Sequence, residues 1–316
     1  MSITPGYKFK RKFIAIAIKR AEDDKGIDYI AAGATALAML TKGVACDPWQ
    51  TEQVSRELDN GTNGAKPVIH TGDKISVTGA VEMAGAGSVN TPVAYAPLLQ
   101  MSGYDIKTDV ATEVSHNRIL NAANELDGTI YFYWEGMYHI LLAGKCTLTT
   151  AGKIGELGYL NFEAKGIYGG TLAGAIPTDA DFGAFVQPVE WSKANTTFVL
   201  DGQNLNMVEF ESALNNAIEH DEGTEQNQIF INDWNEEGKF IIEAPALGTF
   251  DPFAIAKAGT LLPYSLTHGT VTGNIFKQAS SGIQLMNPVP AEYKGKQAWD
   301  IPFKVIGGHE TIITTQ

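Results

Sequence analysis

The stretch TIYFYWEGMYHILLAGK, residues 129–145, decides the fold, because it has the pattern of two strands joined by a tight turn. The aromatic and β-branched residues that fill its first half are the usual strand formers. Glu135 and Gly136 interrupt the apolar run, and the chain then returns through Ile140 to Leu142. The pattern therefore predicts a β-hairpin.

Both faces of the first strand in this hairpin are apolar. Alternation places Ile130, Phe132 and Trp134 on one face. Tyr131 and Tyr133 lie on the other face. A carbohydrate-binding platform or a nucleobase-stacking face would have a similar composition, but structural sheet aromatics are the simpler interpretation. The strand fits a sheet that is covered on both sides.

The composition is that of a globular protein with room for two domains. The chain has 316 residues, of which 44% are apolar and 19% are charged, so each half is long enough to bury its own core. The formal net charge of −13 argues against a nucleic-acid binder with a general basic surface. Cys46 and Cys146 make no disulfide framework, which favours two reduced thiols in a protein made in a cytoplasm.

The N-terminal segment is basic, but its apolar run from Phe13 to Ile18 is short. A signal peptide or a membrane span needs a longer apolar run. We therefore expect a soluble, non-secreted protein that makes no contact with a membrane.

Further strands are predicted from alternation along the chain. KFIAIAIK (12–19) has the pattern of a well-buried strand, and KISVTGAVEM (74–83) has one apolar and one polar face. YLNFEAKG (159–166) directs Leu160 and Phe162 inward and the polar residues between them outward. The fold class that follows is mainly β.

Two short helices are predicted from their terminal residues. In NTPVAYAPLLQMSGY (90–104), Asn90 or Thr91 is the expected N-cap, Pro92 the first helical residue and Gly103 the C-terminal stop.

The second helix is expected in DPFAIAKAG (251–259), with Asp251 as its cap, Pro252 at its first position and Gly259 as its stop. A third helix over residues 27–43 is a weaker expectation, because alanine and glycine dominate that stretch.

The order strand, helix, hairpin and closing strand occurs twice. The closing strands are YLNFEAKGIYGG (159–170) and AWDIPFKVIGG (298–308). Two copies of one β-rich domain are the simplest account, and we place them at residues 1–177 and 178–316. The residues expected in the core or at interfaces are Ile130, Phe132, Trp134, Leu160, Phe162, Pro92, Tyr95, Trp299 and Phe303.

Sequence motifs for catalysis or cofactor binding are missing. The chain has no P-loop, no G-x-S-x-G and no H-E-x-x-H motif. GAGSVN (85–90) lies between a strand and a helix but lacks the third glycine of a dinucleotide fingerprint. Histidine and cysteine never occur at metal-ligand spacing. We therefore expect no catalytic residue, no cofactor, no metal and no enzymatic activity, although carboxylate pairs of the glycosidase type leave no sequence signature.

An acidic region lies in the second half of the chain. Residues 181–250 carry thirteen carboxylates against Lys193 and Lys239 alone, a net charge of −11. EHDEGTE (219–225) lacks the alternating ligands of a calcium loop, so we interpret it as a solvated acidic loop. Its candidate functional residues are Glu219, Asp221, Glu222 and Glu225.

One ordered set of motifs lies between residues 70 and 180. It consists of a small-residue turn before a proline-started helix, an aromatic strand with an acidic-glycine turn and a histidine on its return strand, and a closing strand of the form F-x-x-x-G-x-Y. The positions are Gly87, Pro92, Gly103, Tyr104, Glu135, Gly136, His139, Gly144, Gly152, Phe162, Gly166 and Tyr168. This set resembles the pattern of the major tail tube proteins of long-tailed bacteriophages. The chain departs from the pattern at Asn90, at Lys145 and over residues 203–228.

The resemblance implies two tandem tail-tube-type β-sandwich or barrel domains, each with a short flanking helix. Such domains join side by side so that their sheets line a channel, and the second face of the aromatic strand would then be covered by a neighbouring subunit. Three chains would supply the six copies of a pseudo-hexameric ring, and stacked rings would form the tail tube of the virion, made in the host cytoplasm.

The partners implied are the chain itself and the tape measure, tail terminator and distal tail proteins. DNA would pass through the lumen without specific binding, and we expect part of the acidity to face it. We place the basic segment from Lys8 to Arg20 at a subunit contact. Two alternatives remain open: a carbohydrate-binding β-sandwich or adhesin module of a phage tail, and a β-rich glycan hydrolase.

Overall fold

The computed structural model describes residues 8–56, 64–109, 112–307 and 310–315. Over these residues the protein is mainly β, which confirms the fold class expected from the sequence. None of the helices in these ranges is long and apolar enough to cross a membrane.

The first half of the chain contains nine of the described strands, the helix α1 (Ala96–Met101) and a 3-10 turn (Ala122–Asn124). The strands are β1 (Lys12–Ile18), β2 (Leu37–Met39), β3 (Lys42–Ser55), β4 (Val68–Glu82), β5 (Lys107–Asp109), β6 (Glu113–His116), β7 (Gly128–Trp134), β8 (Met137–Lys153) and β9 (Tyr159–Ala173).

The second half contains the helix α2 (Pro252–Ala258) and the remaining described strands. These are β10 (Thr196–Leu200), β11 (Gln203–Asn204), β12 (Met207–Ala213), β13 (Ala217–Glu222), β14 (Asn227–Asp233), β15 (Glu237–Glu243), β16 (Leu261–Val271), β17 (Asn274–Leu285), β18 (Val289–Tyr293), β19 (Lys296–Val305) and β20 (Thr311–Thr315).

The two halves have the same antiparallel strand order. In the first half neighbouring strands follow the order β1, β7, β8, β9, β4, β3. In the second half the order is β10, β16, β17, β19, β15, β12. The strands also correspond along the chain. In each half, three strands of this order precede the helix, two form the hairpin that follows it, and the sixth is the closing strand.

A matched glycine and phenylalanine mark the same point in both halves. Gly79 on β4 lies opposite Phe162 on β9, and Gly238 on β15 lies opposite Phe303 on β19. A Cβ atom added to Gly79 would lie 2.9 Å from Phe162 Cζ, and one added to Gly238 would lie 2.7 Å from Phe303 Cζ. The phenylalanine ring therefore fills the space that the missing side chain leaves in each half.

One hydrophobic core extends through both halves, with buried members such as Phe132 and Leu148 in the first and Phe210 and Phe240 in the second. Strand pairing also crosses between the halves, from β8 to β12 and from β6 to β20. The domain limits 1–177 and 178–316 stay a prediction.

The structure confirms the hairpin and the second helix. β7 and β8 pair on either side of Glu135 and Gly136, and Gly136 has a φ of 87°. Asp251 caps α2 by accepting hydrogen bonds from two backbone N–H groups, and Gly259 ends it with a φ of 66°.

The predicted start of the first helix is wrong. α1 begins at Ala96 after Tyr95, so Pro92 precedes the helix, and Pro97 takes the place at its start. The Tyr95 hydroxyl donates to the carbonyl of Ala84 at 2.9 Å, which fixes the approach of the chain to α1. Gly103 follows the helix with a φ of 83°, as expected of a stop residue.

The helix expected over residues 27–43 is also wrong. That segment contains turns, the strand β2 and the start of β3. Gly33 and Gly43 have left-handed backbone, with φ of 88° and 65°, and Met39 pairs with Ile14 on β1. Pairing with β1 and the left-handed glycines together exclude a helix.

Candidate functional site

The aromatic strand β7 is engaged on both faces by residues of its own chain. On its outer face, Tyr131 donates a hydrogen bond to Asp28 at 2.7 Å, and the buried Tyr29 packs beside Ala17 of β1. Tyr133 stacks on Phe13, with ring centroids 4.9 Å apart. Tyr29 and Asp28 of the same chain therefore cover part of this face, while Tyr133 is half-buried beside its cross-strand neighbour Phe13.

The inner face of β7 belongs to the core. Ile130 and Phe132 are fully buried. Trp134, at the end of the strand, is half-buried and has edge contacts with Phe132 and Phe9, at centroid distances of 6.2 and 5.2 Å. The burial of side chains along β7 thus decreases toward the turn at Glu135.

The other core or interface candidates divide into two groups. The buried candidates are Tyr95, Leu160, Phe162, Trp299 and Phe303. Pro92 is exposed and lies outside the core.

A continuous sheet joins the two halves. Its order is β3, β4, β9, β8, β12, β15, β19, β18. The long strand β8 makes the connection, because its last part pairs with β9 on one edge and with β12 on the other. This sheet has two different ends, β3 in the first half and β18 in the second.

The face of this sheet that points away from the core is a polar wall. Along β9, the exposed Asn161 and Lys165 alternate with buried Leu160 and Phe162. Residues of β8, β12, β15 and β19 continue the same face across the junction. Four lysines of the wall have a glutamate partner: Lys153–Glu209 at 3.4 Å, Lys165–Glu163 at 3.3 Å, Lys239–Glu211 at 3.6 Å and Lys304–Glu237 at 3.5 Å.

The acidic residues 219–225 lie elsewhere, on the hairpin of β13 and β14, which forms a separate two-stranded sheet. The sequence predicted a loop here, but Glu219, Asp221 and Glu222 lie on the strand β13. Glu225 lies in the turn that connects β13 to β14. Glu219, Glu222 and Glu225 are exposed. The Glu222 carboxylate lies beside β4, 3.8 Å from the point that a Cβ on Gly72 would occupy.

The basic N-terminal segment has partners within the chain. Arg11 pairs with Glu135 at 2.5 Å, and Arg20 pairs with Asp23 at 2.8 Å. The guanidinium of Arg20 lowers the pKa of Asp23 to about 2.

The glycines of residues 85–90 serve a contact between the halves. Gly87 N–H donates to the carbonyl of Gly273, in the β16–β17 turn, at 3.0 Å. Gly85 N–H donates to the side-chain oxygen of Asn274 at 2.6 Å. A Cβ on Gly85 would lie 2.2 Å from the Gly273 oxygen, so this close backbone approach requires glycine.

A buried polar cluster lies beneath the junction. The carboxylate of Glu310 accepts hydrogen bonds from Ser212 at 2.8 Å, from Gln278 at 2.5 Å and from Tyr264. Its own backbone N–H donates to the carboxylate of Glu236 at 2.7 Å. Burial raises the pKa of Glu310.

Glu236 also contacts the first half, since Tyr104 donates to it at 3.4 Å. Burial, followed by the nearby Glu310, raises the pKa of Glu236 to about 7. Arg118 packs 4.3 Å from the ring of Trp234 and donates to the carbonyl of Ser102 at 3.0 Å. The side chains are enclosed, so the cluster joins the halves and offers no open cleft for a substrate.

A second buried pair involves Lys145, a position where the chain departs from the tail-tube pattern. Its ammonium lies 3.3 Å from Glu125 and donates to the carbonyl of Leu126 at 3.0 Å. Burial lowers the pKa of Lys145. Sequence reasoning missed this pair and the Glu236–Glu310 cluster, because the partners are distant in sequence and follow no local motif.

Among the described residues, no group of three or more histidine, cysteine, aspartate or glutamate side chains is arranged to hold a metal ion. No family model matches the chain. No curated protein matches it either.

Proposed function

We propose that the chain is a structural virion protein that assembles into stacked rings and forms the tail tube of a bacteriophage, the conduit for DNA ejection. The observation that carries the proposal is the repeated six-strand order, with the two copies joined side by side through β8 and β12. One chain thus supplies two equivalent units. Three chains would supply six units in one closed ring.

The polar wall is the natural lining of such a channel, because it is the broad face that continues from one unit into the next. A conduit must let DNA slide without holding it. Each lysine that is free to contact a phosphate adds affinity through counterion release. Pairing Lys153, Lys239 and Lys304 with glutamates on neighbouring strands would reduce that affinity.

The carbohydrate-binding alternative has weaker support. An aromatic sugar platform needs exposed rings, whereas Tyr131 is buried and Tyr133 is half-buried against Phe13. The hydrolase alternative draws no support from Glu236 and Glu310, because that carboxylate pair is buried. The further partners in this proposal are the tape measure, tail terminator and distal tail proteins.

Negative-stain electron microscopy of the purified protein, together with light scattering, tests the proposal. We expect rings or tubes with three chains in each ring and more than about 1,000 Å² buried at each contact between chains. A protein that stays monomeric at high concentration and forms neither rings nor tubes would contradict it.

A further inference from the structure

Inside the chain, the two halves join where the end of β8 pairs with β12. In this internal junction Thr149 lies opposite Ala213, and Ala151 lies opposite Glu211. All four of these residues are half-buried. The repeated strand order gives each of them a counterpart in the other half, and the strand register identifies it.

The counterpart of Thr149 is Met286, which directly follows β17. Thr149 lies opposite the residue that precedes Phe162 on β9. Met286 donates its backbone N–H to the carbonyl of Pro302, the residue that precedes Phe303 on β19, at 2.7 Å. Because Phe162 and Phe303 are the matched phenylalanines of the two halves, Thr149 and Met286 have the same place in their sheets.

The counterpart of Ala151 is Val289, the first residue of β18. Ala151 lies opposite the residue three positions before Phe162. Val289 lies opposite the residue three positions before Phe303. The two counterparts of the β8 residues therefore lie on the edge that the end of β17 and β18 form in the second half.

The counterparts of the β12 residues lie on β3. Ala213 and Ala45 each lie opposite the residue that precedes the matched glycine of their half. Glu211 and Lys42 each lie opposite the residue that follows this glycine. Ala45 is therefore the counterpart of Ala213, and Lys42 is the counterpart of Glu211.

These four counterparts are exposed, whereas the residues of the internal junction are half-buried. Met286 is 41% exposed and Val289 is 53% exposed, and Lys42 and Ala45 are exposed on β3. The two pairs lie at opposite ends of the eight-stranded sheet. Within the described ranges, β3 pairs only with β4, and β18 pairs only with β19. Each end of the sheet thus presents an edge whose counterpart is covered inside the chain.

We propose that residues 286–289 of one copy of the chain pair with residues 42–45 of a second copy, and so repeat between chains the junction that β8 and β12 form inside the chain. Met286 then lies opposite Ala45, and Val289 lies opposite Lys42. This inference rests on the proposed function and deepens it, because it names the strand edges through which the copies join.

The contact is head-to-tail, because it joins two different edges of the sheet. Such a contact closes into a ring when the rotation between copies permits. The polar wall then continues from each copy into the next, and the ring leaves neither sheet edge free to pair with an unrelated strand.

Side chains contribute more to this contact than to the internal junction. Pro288 and Pro290 lie along the same edge, and proline has no N–H to donate to a neighbouring strand. Met286 and Val289 are larger and more apolar than the residues that take their place in the first half, so their burial removes more apolar surface from water.

A disulfide placed across the proposed contact tests the inference. The junction variant carries Ala45→Cys and Met286→Cys, together with Cys46→Ser so that the neighbouring native thiol cannot compete. Cα atoms of directly opposite residues in antiparallel strands lie about 4.5–5.5 Å apart, which is within the range that a disulfide spans.

Two controls carry the same Cys46→Ser change. The internal control carries Thr149→Cys and Ala213→Cys, which lie opposite each other inside the chain and should form a disulfide within one copy. The mismatched control carries Ala45→Cys and Leu120→Cys, because Leu120 is 73% exposed and lies outside both edges.

After mild oxidation, we expect the junction variant to give covalent species of up to three chains on a non-reducing gel, with the 45–286 disulfide identified by peptide mapping. The internal control should run as a monomer with its disulfide formed, and the mismatched control should stay unlinked. A junction variant that stays unlinked while the internal control oxidises would overturn the inference, as would equal linking in the mismatched control.

The two single variants keep the test decisive if the double substitution disturbs folding. Ala45→Cys alone and Met286→Cys alone should each stay unlinked. Their co-expression should give disulfide-linked dimers and nothing larger, because each chain then carries one engineered thiol. Co-expressed variants that fold by circular dichroism and still form no 45–286 disulfide would contradict the proposed contact.

The outcome separates this inference from the proposed function. Linked rings that never stack would remove the tail-tube function and leave the contact intact. Tubes that assemble without forming the 45–286 disulfide would remove the contact and leave the function intact.

Discussion

Lys153 on β8 forms an ion pair with Glu209 on β12 at 3.4 Å, across the line where the two halves of the chain meet. Both side chains are partly exposed, so the pair adds little to the stability of the fold. Its effect is on the charge of the polar wall, because the carboxylate of Glu209 offsets the positive charge of Lys153.

The pairing of lysines with glutamates on the wall predicts how strongly assembled tubes bind DNA. The change Glu209→Gln, Glu211→Gln and Glu237→Gln leaves three wall lysines without their partners. We expect these tubes to retain duplex DNA at low salt and to release it as salt rises, because free lysines bind phosphates. Filter retention over a salt series measures the effect.

The matched control neutralises Glu219, Glu222 and Glu225 on the β13–β14 hairpin, which removes the same number of charges and leaves the lysine–glutamate pairs of the wall intact. Equal DNA retention by both variants would show that net charge, and not the wall, governs passage.

Phe132 distinguishes a core strand from a ligand platform. Because it is fully buried, we expect Phe132→Ala to lower the free energy of unfolding by about 3–5 kcal/mol. Trp134→Ala should cost less, since Trp134 is half-buried. Chemical denaturation measures both changes. A fully stable Phe132→Ala protein that had lost only glycan binding would contradict this interpretation.

Gly238 is a position where any side chain collides with the sheet. A Cβ there would lie 2.2 Å from the backbone oxygen of Glu211 and 2.7 Å from Phe303. We expect Gly238→Ala to lower the free energy of unfolding by at least about 1–3 kcal/mol. Gly248→Ala is the control, because no atom lies within 4 Å of a Cβ at that position. Similar melting temperatures for the two variants would refute the argument.

Glu236 gives the stability of the protein a pH dependence. Burial raises its pKa from the ordinary glutamate value of 4.5 to about 7, so between these values the folded state binds more protons than the unfolded state. This contribution to stability is fully present below about pH 4.5, falls as pH rises to about 7, and is lost above that.

We therefore expect Glu236→Gln to flatten the dependence of the unfolding free energy on pH over this window, by up to about 3 kcal/mol. Urea denaturation at pH 5 and at pH 8 measures the difference. An unchanged slope in the variant would mean that Glu236 titrates normally in the folded protein.

Local sequence determined the elements whose signals are complete within a few residues. Alternation was sufficient for β7, β8 and β9, because residues two apart on a strand share a face. Asp251, Pro252 and Gly259 were sufficient for α2, because a cap, a fixed φ and a left-handed stop act within one turn. The repeated order of elements was also visible along the chain.

Tertiary structure decided what depends on distant partners. Pro92 and Pro97 both suit the start of a helix, and the helix uses the later one, next to Tyr95, whose hydroxyl bonds to the distant carbonyl of Ala84. Residues 27–43 contain alanines that favour a helix, yet Met39 pairs with Ile14 of β1 in a sheet.

For the same reason, local sequence patterns could not predict the β8–β12 junction or the buried carboxylates beneath it. Glu236 and Glu310 are 74 residues apart in sequence, and β8 pairs with β12 although the whole of β9 lies between them. Sequence periodicity reports which face of an element is apolar, and not which other element will cover it. That choice depends on packing and hydrogen bonding between segments that meet only in the folded chain.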